Sequence, residues 1–193
     1  QDPLMHHLMD LLGIGTAALA NRLAVRDETL LYYSGLLALR SRPAVALEHL
    51  LEDYFGVPAE IEQFVGAWYP LDRATQCELG DDETASTQLG LGAVAGDETW
   101  DQQARIRIRL GPMPRRRYDM FLPDGAAYKS LRALARFFGG DQIDVDVQLV
   151  LTRTDVPAFV LGADDDDATP LGWCTWLRTA AMDRDPDETI FTL

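Results

Sequence analysis

Between Ile143 and Leu151 polar and apolar residues alternate, with Asp144, Asp146 and Gln148 on one side and Val145, Val147 and Leu149 on the other. Only a β-strand sends successive side chains to opposite faces, so this segment predicts a strand with one buried face. Gln103 to Leu110 has the same period, with Arg105, Arg107 and Arg109 opposing Ile106, Ile108 and Leu110. The aspartate face of one strand and the arginine face of the other are suited to lie across from each other. Each cross-strand pair of opposite charges would then contribute roughly 0.2–1 kcal/mol, with no partner needed. Ile61, Val65 and the aromatic stretch Phe64, Trp68 and Tyr69 predict a further strand ending at Pro70, with Trp68 in the core, and Thr189 to Leu193 predicts a terminal one.

Elsewhere the apolar period lengthens to that of a helix. Residues 3–12 carry Leu4, Leu8, Leu11 and Leu12 and stop at Gly13 and Gly15. Asp27 is placed as an N-cap, with Glu28 in the first turn, before Leu30, Leu31, Leu36 and Leu37. Pro43 is placed as a first-turn proline for a helix carrying Leu47, Leu50, Leu51, Tyr54 and Phe55, which Gly56 stops. Tyr118 to Leu122 predicts a short helix ended by Pro123. The next carries Tyr128, Leu131, Leu134, Phe137 and Phe138 and stops at Gly139 and Gly140.

The order helix, strand, long loop, strand thus occurs twice, over about 43–110 and 125–193. Within the first loop Leu79-Gly80 precedes Asp81, Asp82 and Glu83, and Leu89-Gly90 follows. Within the second Leu161-Gly162 precedes Asp164 to Asp167, and Leu171-Gly172 follows. The expected fold class is α+β, with two similar helix–strand–long loop–strand units packed together and mixed or antiparallel sheets with helices. Residues 1–42 form a helical lead-in, 43–112 a first unit with loop 70–100, and 113–193 a second unit with loop 154–176. Loops this long in a compact chain are normally functional or disordered, against an ordinary connection of about 4–6 residues. Two similar protruding loops suit gripping two copies of a partner better than they suit building an active site.

Composition narrows the partners. Acidic residues outnumber basic ones 31 to 17, a net charge of −14, so phosphate backbones and anionic lipid surfaces would repel the chain. Nucleic acid and membrane insertion are not expected. The two cysteines, Cys77 and Cys174, make no disulfide framework and no zinc set, which fits a reducing cytosol. Gln1 opens almost directly into the first helix without an initiator Met, as a piece of a longer chain would.

No catalytic constellation is recognisable. His6 and His7 point to different sides of a helix, and His49 lies among apolar neighbours. The serines have no glycine-elbow context, and Gly13-Ile14-Gly15 lacks the strand a phosphate loop requires. Consecutive aspartates at 164–167 splay apart. Asp183, Asp185 and Asp187 have the spacing of a calcium loop, but Glu188 stands where glycine is needed. No cofactor, metal or catalytic residue is expected. Arg115, Arg116 and Arg117 either meet a partner's carboxylates or neutralise the protein's own acidic surface. Aromatic and leucine residues at the loops are the candidate partner anchors, since buried aromatic anchors dominate association energy. They are Leu79, Leu89, Trp100, Pro157, Phe159, Leu161, Leu171, Trp173 and Trp176. The tryptophans have an alternative role, fastening the loops to the core.

Several blocks resemble a known family along essentially the whole chain: residues 30–42 (LLYYSGLLALRSR), 53–68 (DYFGVPAEIEQFVGAW), 100–113 (WDQQARIRIRLGPM), 121–125 (FLPDG), 145–151 (VDVQLVL) and 171–177 (LGWCTWL). They are similar to TssG, a baseplate subunit of the bacterial type VI secretion system. The resemblance implies a non-enzymatic scaffold that joins TssF copies into a wedge and docks TssK trimers through two loops. The spike hub and sheath-associated subunits would be further neighbours. It also implies a cytoplasmic position at the inner-membrane-docked baseplate of a Gram-negative bacterium. The family has a substantial region before the point where this chain starts. From the duplication, loops 70–100 and 154–176 become the candidates for TssK docking. The rival reading is a regulatory domain that binds a small molecule or divalent metal through the acidic loops.

Overall fold

The computed structural model describes residues 3–16, 18–77, 87–88, 90–92, 94–157, 172–176 and 180–193. Helix α1 (Pro3–Leu11) ends in a Schellman motif. Gly13 takes φ +78°, its amide bonds Asp10 O at 3.0 Å, and the Ile14 amide bonds Met9 O at 2.9 Å. The apolar run that follows breaks into two short helices, α2 (Asp27–Tyr32) and α3 (Ser34–Leu37). Asp27 is not the N-cap. Arg26 holds that position with extended backbone, and Asp27 is the first helical residue. Its carboxylate is buried and turns back to accept the Asn21 amide at 2.9 Å. Tyr33, between the two helices, donates its hydroxyl to Asp53 at 2.7 Å.

Helix α4 (Ala44–Phe55) starts one residue after Pro43, which caps it from extended backbone, and stops at Gly56 with φ +62°. Its Ala46, Leu47, Leu50 and Leu51 are buried. The strand expected over 61–69 is two strands. β1 (Ala59–Glu62) belongs to a four-stranded sheet, and β2 (Ala67–Pro70) to a separate two-stranded ribbon with β3 (Glu98–Asp101). Phe64 between them adopts φ +62°, a left-handed turn that redirects the chain.

The main sheet has the order β1, β4 (Arg105–Met113), β5 (Asp144–Leu151) and β6 (Thr189–Thr192). β1 is antiparallel to β4, β4 parallel to β5, and β5 antiparallel to β6. Each half of the chain contributes a helix and an antiparallel pair, and the pairs join in one sheet through the parallel β4–β5 contact. A parallel neighbour requires a crossover, here α5 (Arg115–Phe121) and α6 (Tyr128–Gly139). The architecture is α+β with a mixed sheet, as expected.

The register sets Ile61, Ile108, Val147 and Phe191 in one row. That face, with Leu110, Val145 and Leu149, meets Leu47, Leu50 and Leu51 of α4 and Leu131, Leu134 and Phe138 of α6 in a single core. Each fully buried leucine or valine there contributes about 1.5–3 kcal/mol relative to exposure. The opposite face of the sheet is charged.

Candidate partner-binding surface

The charged face places the predicted arginine and aspartate rows side by side. Arg105 is level with Asp144 and Arg107 with Asp146. Arg105 bridges both aspartates, at 3.6 Å to Asp144 and 3.2 Å to Asp146. Arg107 reaches Glu62 of β1 at 3.4 Å, and Arg109 lies between Glu60 at 3.8 Å and Asp187 at 3.3 Å. Asp146 is 4% exposed and also accepts the Thr192 hydroxyl at 2.7 Å. These charges neutralise one another inside the fold.

The β2–β3 ribbon is fastened to this sheet at one end. The Val65 amide donates to Arg105 O at 3.2 Å, and the Tyr69 hydroxyl donates to Asp144 at 2.7 Å beneath the Arg105 guanidinium. That bond to Asp144 pushes the Tyr69 phenol above its ordinary pKa. On the ribbon's other side Trp68 stands directly opposite Trp100. Their rings meet edge to face with centroids 5.4 Å apart. Both remain open to solvent, at 61% and 51%, and Phe64 beside them is 60% exposed. Gly66 makes the arrangement possible, because a Cβ there would collide with the Trp100 indole. Beyond the ribbon, Leu71 bonds Asp97 and Cys77 bonds Val94, and Leu91 and Val94 are exposed. The foot of loop 70–100 is thus tied by backbone hydrogen bonds and exposes apolar side chains among its charged ones.

Trp68 was expected in the core. It is exposed because β2 leaves the main sheet and, among the described residues, no helix covers the face that carries Trp68 and Trp100. Pro70 at its end was the available signal, since proline is confined to edges and short peripheral strands.

Around the second loop the tryptophans face inward. Trp173 and Trp176 are half-buried against the core, and Pro157 is half-buried. The Trp173 carbonyl accepts from Tyr118 at 2.9 Å and from Thr189 at 2.7 Å. The Trp176 indole donates to Glu188 at 3.3 Å and stands edge-on to Tyr118. Cys174 between them is fully buried, and burial pushes its thiol up to about 11. Leu79, Leu89, Phe159, Leu161 and Leu171 lie outside the described residues, as do the acidic runs 81–83 and 164–167.

Most of the remaining candidates are engaged within the fold, while Arg116 is exposed and bonds no described residue. Arg115 pairs with Asp119 at 2.6 Å, and Arg117 donates to the carbonyls of Phe55 and Gly56 at the end of α4. Asp185 accepts the Arg153 amide, Asp183 O accepts its guanidinium, and Asp187 pairs with Arg109. No group of three or more His, Cys, Asp or Glu side chains that could hold a metal occurs among the described residues. No helix among them is long and apolar enough to cross a membrane.

A family model described as "Type VI secretion, TssG" matches residues 1–178. Comparison with curated proteins gives no match. Among solved structures, a chain of the type VI secretion system TssK-TssF-TssG baseplate subcomplex is similar with a TM-score of 0.75 and 22% identity, over 99% of this chain and 80% of that one. A chain of a structure described as the baseplate complex from the type VI secretion system matches with a TM-score of 0.61 and 23% identity. That match covers all of this chain and 53% of the other. At these identities the likeness is one of fold.

Proposed function

The chain belongs to the type VI secretion TssG family, and on that premise we propose that it is a structural scaffold of the baseplate wedge, bridging TssF and TssK through protein contacts. The observation that carries the reading is the family match over residues 1–178. The structure whose fold it shares is a TssK-TssF-TssG baseplate subcomplex. In this reading the protein is not a catalyst, and it works in the cytoplasm at the baseplate docked to the inner membrane. Residues 43–112 and 113–193 act as its two arm-bearing units.

The exposed Trp68–Trp100 pair at the foot of loop 70–100 supports docking of TssK there. Paired aromatic side chains left in water are the anchors from which interfaces draw most of their energy. Trp173 and Trp176 serve the second arm differently, holding the base of loop 154–176 on the core so that Pro157, Phe159, Leu161 and Leu171 can meet the partner. Leu79 and Leu89 have the corresponding role in the first arm.

Light scattering after size exclusion, with cognate TssK and TssF, tests this. A complex with two TssK trimers per chain is expected. Trp68→Ala/Trp100→Ala is expected to keep the fold and weaken TssK capture at least about tenfold, the scale of a hot-spot loss. Undiminished capture by the folded variant would remove the ribbon from the docking site. Failure of wild type to bind either partner would remove the scaffold reading itself.

A further inference from the structure

We propose that the groove between α6 and the segment preceding α2 is a docking site for an acidic amphipathic segment of a partner protein. The groove encloses about 560 Å³ and has an apolar floor that includes Leu23, Pro123, Tyr128, Ala133 and Phe137. Ser130 on α6 holds its two walls together by donating to Ala24 O at 3.3 Å. It lies in the helix layer, on the other side of the sheet from the charged face that carries the Trp68–Trp100 ribbon, and it does not rest on the docking assigned to that ribbon.

The rim decides the occupant. Lys129, Arg132, Arg136 and Asp141 line it. Arg136 is committed to the fold, donating to Ile143 O at 3.3 Å and Leu193 O at 2.8 Å. Lys129 and Arg132 are exposed, stand one helical turn apart, and make no hydrogen bond or ion pair to any described residue. Elsewhere the arginines of the charged face and Arg115 are paired with the protein's own carboxylates. In a chain of net charge −14, a rim of three cations against the one carboxylate of Asp141, over an apolar floor, forms a local inversion of the field. An extended polyanion such as nucleic acid would be repelled by the rest of the surface. A short segment with leucine-like side chains flanked by aspartate or glutamate satisfies both floor and rim, laying its apolar face in the groove as amphipathic helices do.

Lys129 is the single lysine of the chain, which gives the site its own reporter. The test uses the whole chain and a fluorescent synthetic peptide of leucine and glutamate at helical spacing, with a leucine–lysine peptide as control. The acidic peptide is expected to bind, to weaken as salt rises, and to couple to Lys129 under a zero-length carbodiimide reagent, as located by peptide mapping. Lys129→Glu/Arg132→Glu, whose side chains are exposed and whose fold is checked by circular dichroism, should weaken binding at least about tenfold. No binding of the acidic peptide, equal binding of the lysine peptide, or undiminished binding by the variant overturns the proposal. So does self-association that the double variant abolishes, which would make a second copy the occupant. Binding to phosphatidylglycerol vesicles in place of the peptide overturns it in favour of a lipid surface.

Discussion

Asp146 is the charge on which the polar side of the sheet turns, and replacing it by alanine should cost far more than a surface ion pair does. Its side chain is 6% exposed and receives the Arg105 guanidinium at 3.2 Å and the Thr192 hydroxyl at 2.7 Å. Asp146→Ala removes two hydrogen bonds to an ionised carboxylate, each of about 1.5–3 kcal/mol. Breaking a buried pair by taking one partner costs about 3–5 kcal/mol when the other charge is stranded. Arg105 is not stranded completely, since it is 24% exposed and keeps Asp144 at 3.6 Å. The low end of that range follows, about 3 kcal/mol, or roughly 6–12 °C in Tm for a domain of this size. Urea unfolding with unchanged slope measures it. The internal control is Glu62→Ala, which removes the 57%-exposed partner of Arg107 and should cost under about 1 kcal/mol. Equal losses for the two variants would refute the argument, because burial would then not separate them. Adding Arg105→Ala to Asp146→Ala should recover part of the loss, since no unpaired charge remains.

Three further outcomes are expected. The outward amides of edge strand β1 are capped by α4, with Glu48 accepting from Ile61 at 2.9 Å and Glu52 from Ala59 at 3.2 Å. An open edge invites pairing with another chain, so Glu48→Ala/Glu52→Ala should lose about 1–3 kcal/mol and self-associate with rising concentration; a variant that stays monomeric by light scattering rules out edge protection. Burial raises the Cys174 thiol from 9.0 to about 11, so folding favours its neutral form. Its stabilising contribution is present below pH 9.0 and lost as pH rises toward about 11, joined above pH 10.0 by Tyr33 and Tyr118, whose phenols burial also raises. Cys174→Ala should flatten the part of that decline that begins near pH 9.0, and a thiol reagent at neutral pH should label exposed Cys77 long before Cys174. Equal labelling rates in the native protein would contradict the buried placement.

Much of the secondary structure was legible because it is written in local chemistry. The period-two alternation of β5 and the arginine face of β4 correctly announced which residues share a side. The complementary signs of those faces even anticipated their pairing. Glycines 13 and 56 mark helix ends because their positive φ is inaccessible to most residues at low cost. Asp27 misled because a first-turn carboxylate and a capping one look alike in sequence. In the fold the Asp27 carboxylate accepts from the Asn21 backbone amide and not from its own helix.

Periodicity says which side chains of a strand face together and says nothing of which strands become neighbours. The chain itself dictated the amphipathic helices, the charged and apolar strand faces, the acidic balance and the family blocks, all of them one-dimensional patterns. Four matters were decided only when distant segments met. The strand at 59–70 split, with β2 leaving the main sheet. Trp68 was consequently bared beside Trp100. Trp173 and Trp176 turned inward onto Tyr118 and the core. Lys129 and Arg132 were left over an apolar groove with no partner among the described residues. Burial and charge compensation depend on what the fold brings within a few ångströms, and contacts between residues far apart in the chain leave no local trace in it.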